Sequence, residues 1–220
     1  MKRFLFFLAA ASLSAQVATN ANSGYRTEQD RARVAEMLTA PDRDTRQKPQ
    51  ELVAALGLRP GDTVADVGTG VGYLLPYLSR AVGPQGKVIA QDIFADFLAQ
   101  AKANAAKHKL TNVEFVLGTE RDAQLPAGAA DVILVLDTYH HFDYPGQMLA
   151  SLKRALKPGG RLVIVDFHKN QESMPNGRAL EHIRLSAPDA VREIESYGFR
   201  LASQRDFIPN VQWMAVFTAL

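Results

Sequence analysis

Thr63-Val64-Ala65-Asp66-Val67-Gly68-Thr69-Gly70-Val71-Gly72 is the stretch on which the reading of the chain turns. A short apolar run, Thr63–Gly68, leads into three glycines at alternate positions, with an acid two residues before the first. Missing side chains let a ligand approach the backbone and open dihedrals that other residues avoid. A bare tight turn does not need that pattern; a ligand loop between a strand and a helix does. In doubly wound sheets, ligands sit at the carboxyl ends of strands. The spacing excludes two familiar phosphate loops. A dinucleotide fingerprint wants a small residue three after the second glycine, where this chain has Tyr73. A Walker A loop wants Gly-Lys-Ser/Thr after its glycines, and the loop has none. No tyrosine is followed by Lys four residues later, as a short-chain oxidoreductase would require.

Outward from the loop, strand and helix patterns alternate. A helix is predicted near Val71–Val82, then a strand at Lys87–Ile93, an Ala-rich helix at Phe94–His108 and a strand at Val113–Leu117. Asp131–Leu136 is nearly all apolar, as expected of a central parallel strand buried on both faces. Pro145–Leu156 reads as a helix stopped by Lys157-Pro158-Gly159-Gly160, and Arg161–Phe167 as the fifth strand. A helix at Pro188–Tyr197 precedes two strands, Leu201–Ile208 and Gln212–Thr218, joined as a hairpin through Pro209-Asn210. Upstream, residues 26–57 are charged and mostly helical in pattern, with Pro49 suited to a first helical turn and Gly57 to a stop. Strands alternating with long helices imply a mostly parallel sheet, with one antiparallel strand added by the hairpin.

The chain has 220 residues, 47% apolar and 22% charged, which suits one globular domain spanning residues 22–220, its sheet core at 63–220. It contains no cysteine, which excludes disulfides, thiolate metal sites and a cysteine nucleophile. Residues 1–21 look like an export signal: basic Lys2-Arg3, a short apolar run Phe4–Leu13, and a small-x-small site at Thr19-Asn20-Ala21. The apolar run is too short to span a bilayer. The expectation is therefore an exported protein, periplasmic or secreted, without a membrane span in the mature chain. The leader takes two of the 25 basic side chains and none of the 23 acidic ones, leaving a balanced mature charge. A balanced surface offers nucleic acid no electrostatic footprint.

The D-x-G-x-G-x-G loop resembles motif I of class I S-adenosylmethionine-dependent methyltransferases. The likeness covers roughly residues 45–220: an acid ending the second strand (Asp92), the apolar fourth strand, the Leu-Lys-Pro-Gly-Gly turn and the terminal hairpin. Tyr139-His140-His141-Phe142 after strand four is similar to the small-molecule branch. The resemblance implies an α/β fold, a Rossmann-like sheet of about seven strands, with S-adenosylmethionine as cofactor. It implies that Asp92, with Ile93 beside it, takes the ribose hydroxyls. Gly68, Thr69, Gly70 and Gly72 would pass the methionine moiety, and Asp66 would hold its ammonium group. The family often has Gly-Asp after strand three. Here the sequence is Gly118-Thr119-Glu120-Arg121-Asp122, so either Glu120 or Asp122 is the acceptor for the adenine amine.

The methyl donor end falls at Asp137–His141, with Asp137 close to the sulfonium. Methyl transfer is accelerated mainly by alignment and desolvation. A base is needed only where the acceptor has a proton to lose, and a neutral histidine suits that. His140 is the first candidate, then His141; Asp166 and His168 can also line the acceptor pocket, and His182-Ile183-Arg184 can cover it. No metal is expected, because two adjacent histidines make a poor pair without further ligands. The chain lacks Pro-Pro, so the Asn/Asp-Pro-Pro-aromatic motif of base methylases is missing. The expected partner is a small or medium organic acceptor; the second reading is an exported nucleoside-binding module without turnover.

Overall fold

The computed structural model describes residues 16–220, so the apolar run of the proposed leader lies outside the described residues. Seven strands form one sheet: β1 (Thr63–Val67), β2 (Lys87–Asp92), β3 (Val113–Leu117), β4 (Ala130–Leu136), β5 (Leu156–Phe167), β6 (Phe199–Ile208) and β7 (Gln212–Ala219). Their order is β3-β2-β1-β4-β5-β7-β6. Every pairing from β3 to β5 is parallel, and β7 runs antiparallel to both β5 and β6. The expected doubly wound sheet with a single reversed strand is the one observed.

Period-two alternation sorts the side chains of each strand between two helical layers. Val64, Val88, Val132 and Leu134 pack under α3 (Pro49–Ala55), α4 (Leu75–Val82) and α5 (Ala95–Lys107). Ala65, Ile89, Ile133 and Ile164 pack under α6 (Pro145–Ala155) and α8 (Ala187–Ser196). Proline opens four of these helices at the first turn, where its missing N–H costs nothing. The chain order reverses between β1 and β4, and the crevice at their carboxyl ends is where such sheets place ligands.

Two details differ from the expected outline. The Lys157–Gly160 turn is taken into β5 as an excursion, its pairing jumping from Leu156 to Arg161 while β4 advances only from Ala130 to Val132. The N-terminal segment, expected only as helical, folds over the glycine loop as α1 (Glu28–Leu38) and α2 (Arg43–Gln47). A capping box between Thr27 and Asp30 starts α1, and Val34 and Ala35 pack with Val71 and Phe97. Residues 17–22 continue along the turn after β4. Ala18 N donates to the Asp143 carboxylate at 3.0 Å, and Ala18 and Ala21 are buried. Between α6 and α8, the connection after β5 includes the short α7 (Ala179–His182).

Candidate active site

Asp66 leaves β1 almost fully buried and accepts from the Thr69 hydroxyl at 2.7 Å. Gly68 and Thr69 both donate their N–H to the Gln91 carbonyl at 2.9 Å, which ties the loop to β2. Gly68 has φ of 75°, and a Cβ there would stand 2.3 Å from the Thr138 side chain. Gly72 has φ of 77°, and its Cβ would also meet Leu75 at 2.7 Å and Ala101 at 3.0 Å. The loop thus brings its backbone against the β4 turn on one side and α5 on the other.

Asp92 ends β2 with its carboxylate turned to the loop. Gly70 N donates to Oδ2 at 2.9 Å and Phe94 N to Oδ1 at 3.0 Å. Each oxygen keeps lone pairs for further donors. Asp137 follows β4 at a positive φ of 48° and accepts from Gln212 Nε2 at 2.7 Å. Gln212 in turn bonds Gln47 of α2 at 3.1 Å. Burial pushes Asp66 and Asp92 up to about 6, against the Thr69 and Arg43 contributions on the first and the Phe94 and Gly70 amides on the second. Burial, helped by the charge of Asp166, pushes Asp137 up to about 7. Arg43 of α2 acts on both Asp66 and Asp137 and offsets only part of this. Two buried carboxylates and the half-buried Asp137, all held above their usual range, make this end of the sheet short of positive charge.

Tyr25 roofs the same region. It stacks on Phe94 at 5.9 Å and meets Phe97 and His141 edge-on at 6.2 and 4.8 Å. Burial and the nearby Asp92 push its hydroxyl up to about 12. Arg43 lies over the Tyr73 ring at 3.9 Å.

Beyond Asp137, His140 is buried and its Nδ1 lies 2.6 Å from Asp166 Oδ1, while its backbone N donates to the other oxygen at 2.9 Å. His141 Nδ1 meets Asn22 Oδ1 at 2.8 Å. Burial and the neighbouring His140 ring hold His141 well below the usual imidazole range, and hold His182 at about 4. Both are neutral at physiological pH. His168 stands apart, bonded to Asp206 of β6 at 3.0 Å.

The structure therefore brings together Asp66, the loop glycines, Asp92, Asp137, His140, His141 and Asp166. Of the two acids expected to offer an acceptor to adenine, Asp122 is bound by Arg154 at 2.7 Å and by Gln124 N at 2.8 Å, whereas Glu120 is exposed. Tyr25, Arg43, Gln47 and Gln212 were not singled out in the sequence. An aromatic ahead of a capped helix was the only local signal, and it does not reveal a roof.

A family model described as a methyltransferase domain matches residues 58–197. The chain belongs to the methyltransferase domain family. This methyltransferase domain is similar to a solved SAM dependent methyltransferase from Aquifex aeolicus, with 30% identity and a TM-score of 0.78 over 86% of this chain and 98% of that one. It is also similar to the ubiquinone/menaquinone biosynthesis C-methyltransferase UbiE of Hahella chejuensis, 33% identical over 51% of this chain and 46% of that protein. The domain thus spans about half the length of the curated relatives it matches. A TehB-like SAM-dependent methyltransferase from Corynebacterium glutamicum, 20% identical with a TM-score of 0.63 over 86% of this chain and 100% of that one, shares the fold.

Proposed function

We propose that the protein transfers the methyl group of S-adenosylmethionine to a small or medium organic acceptor. The observation that carries this is the Asp92 carboxylate, buried at the end of β2 and aimed at the loop by the Gly70 and Phe94 amides. The site also fits the cofactor by charge. Its ammonium and sulfonium groups would meet Asp66 and Asp137, whose desolvation disfavours their own charge unless a cation lies beside them. Bound there, S-adenosylmethionine would supply an electrophilic methyl carbon.

The remaining work falls to the chain's own groups. Asp92 uses its free lone pairs for the ribose hydroxyls, with Ile93 alongside and Glu120 at the adenine edge. The glycine loop holds the amino acid end. Tyr25 and Phe94 exclude water from the cleft, which strengthens every electrostatic contact inside it. Asp137, tied to Gln212, faces the developing thioether end. The Nε2 atoms of His140 and His141 are the lone pairs available for an acceptor proton, because both Nδ1 atoms are committed to Asp166 and Asn22. The C-methyltransferase name of the Hahella relative favours a carbon acceptor. The relatives above carry methyltransferase titles and lend the binding-module reading no support. Export stays part of the proposal on the strength of Lys2-Arg3 and Phe4–Leu13.

Calorimetric titration with S-adenosylmethionine and S-adenosylhomocysteine, with NAD as control, tests the cofactor; methyl-label incorporation from a cell extract then tests turnover. Binding of both sulfur ligands but not NAD, lost in Asp92→Ala, is expected. Failure of both to bind the wild type refutes the proposal.

A further inference from the structure

The geometry points to a divalent transition-metal site formed by His140, His141 and His182 at the acceptor end of the cleft. One nitrogen from each ring lies within 4.8 Å of the other two. Ring centroids are 4.1 Å apart for His140 and His141, and 5.0 and 5.4 Å from each to His182.

The partners of the rings fix their tautomers. Asp166 also accepts from the His140 and Phe167 amides, so it is a carboxylate acceptor and His140 Nδ1 donates to it. Asn22 Nδ2 donates to the His141 carbonyl at 3.1 Å and to Asp143 at 2.9 Å. Its Oδ1 is therefore the atom facing His141 Nδ1, which must donate. Both rings are left with the lone pair on Nε2. A ring N–H held by a carboxylate or an amide oxygen is the usual outer shell of a metal-ligating histidine, because it sets ring orientation and raises ligand basicity.

His182 supplies the third ligand from α7, across the cleft. It is partly exposed, so its ring can turn to close the set. A tetrahedral site with bonds of about 2.0–2.1 Å brings ligand nitrogens to about 3.3 Å of each other. Three imidazoles without thiolate suit zinc, cobalt, nickel or copper, and three protein ligands leave one position open. The open position then takes an anionic oxygen or sulfur donor of the acceptor. That role rests on the methyltransferase reading, whereas the metal site itself does not. Histidines that ligate a metal through Nε2 are not proton acceptors, so stoichiometric metal at this site would replace the proton-accepting role given to His140 and His141 above.

The test is calorimetric titration of the chelator-stripped full chain with Zn2+, together with metal content by mass spectrometry, in wild type, His182→Ala and Asn22→Ala. One Zn2+ per chain is expected. Loss of the His182 ligand should weaken it more than tenfold, and loss of the Asn22 contact by about 10–100-fold. S-adenosylhomocysteine binding should stay unchanged in His182→Ala, which also shows that the variant is folded. Zinc that fails to bind stoichiometrically, or that binds His182→Ala as tightly as wild type, overturns the site. Stoichiometric zinc without S-adenosylhomocysteine binding would keep the metal site and refute the methyltransferase reading.

Discussion

Lowering the pH from 7.5 to 5 should weaken S-adenosylmethionine binding steeply and S-adenosylhomocysteine binding less. Asp66 and Asp92 sit at about 6 and Asp137 at about 7 because burial disfavours their charged forms. At pH 5 a carboxyl with pKa about 6 is ionised in about one molecule in eleven, and one with pKa about 7 in about one in a hundred. A ligand that needs the charged form of Asp92 or Asp66 therefore loses about tenfold per group, or about 1.4 kcal/mol each. Both ligands carry the ribose and the ammonium and share this loss. Only S-adenosylmethionine carries the sulfonium that faces Asp137, so it loses on the order of a further hundredfold. Calorimetry with both ligands across this range measures the two slopes. Flat affinities, or equal slopes for the two ligands, would refute the assignment of these acids to the cofactor.

Asp137→Asn keeps the oxygen that accepts from Gln212 and suits the positive φ at that position. Because the folded pKa of Asp137, about 7, lies above its unfolded value of 3.8, the cost of the carboxyl builds as pH rises from about 4 to 7 and is complete above that. The ligand-free variant should be more stable than wild type by on the order of 4 kcal/mol at pH 8, and by less than half of that at pH 5. Chemical denaturation at both pH values checks this, and an unchanged or lowered stability at pH 8 contradicts it. Gly68→Ala places a methyl 2.3 Å from Thr138 at a positive φ, and a loss of more than about 2 kcal/mol is expected, partly restored by Thr138→Ala. In an exported chain, the contacts of Val17 and Ala18 with Asp143 favour cleavage before Val17, for instance after Ala15, over cleavage after Ala21. Intact-mass measurement of the mature protein decides this, and a start at Asn22 would contradict it.

The sheet was legible because its strands are short apolar runs separated by helices of a different period, and because glycine and proline mark the joints. The strand-end acids were legible for the same reason: a strand pattern fixes where the chain leaves the sheet, and ligand groups gather there. The cover of the site was not. Tyr25 and Arg43 reach the glycine loop through tertiary folding of α1 and α2, and no periodicity in residues 26–57 encodes that docking. Asn22 finds His141 across 119 residues, and Gln47 finds Gln212 across 165. Such pairs are made by packing, without a local sequence signal. His182 belongs to the same class. In the sequence it is a lone histidine near Arg184, and only the return of α7 over the β4 turn brings it to the other two rings.

A crystal structure with S-adenosylhomocysteine should show the ribose hydroxyls on the Asp92 carboxylate, the amino acid end along Gly68–Gly72 near Asp66, and the sulfur turned toward Asp137. A ligand bound elsewhere, or Asp92 engaged only by the protein's own amides at saturating ligand, would contradict it.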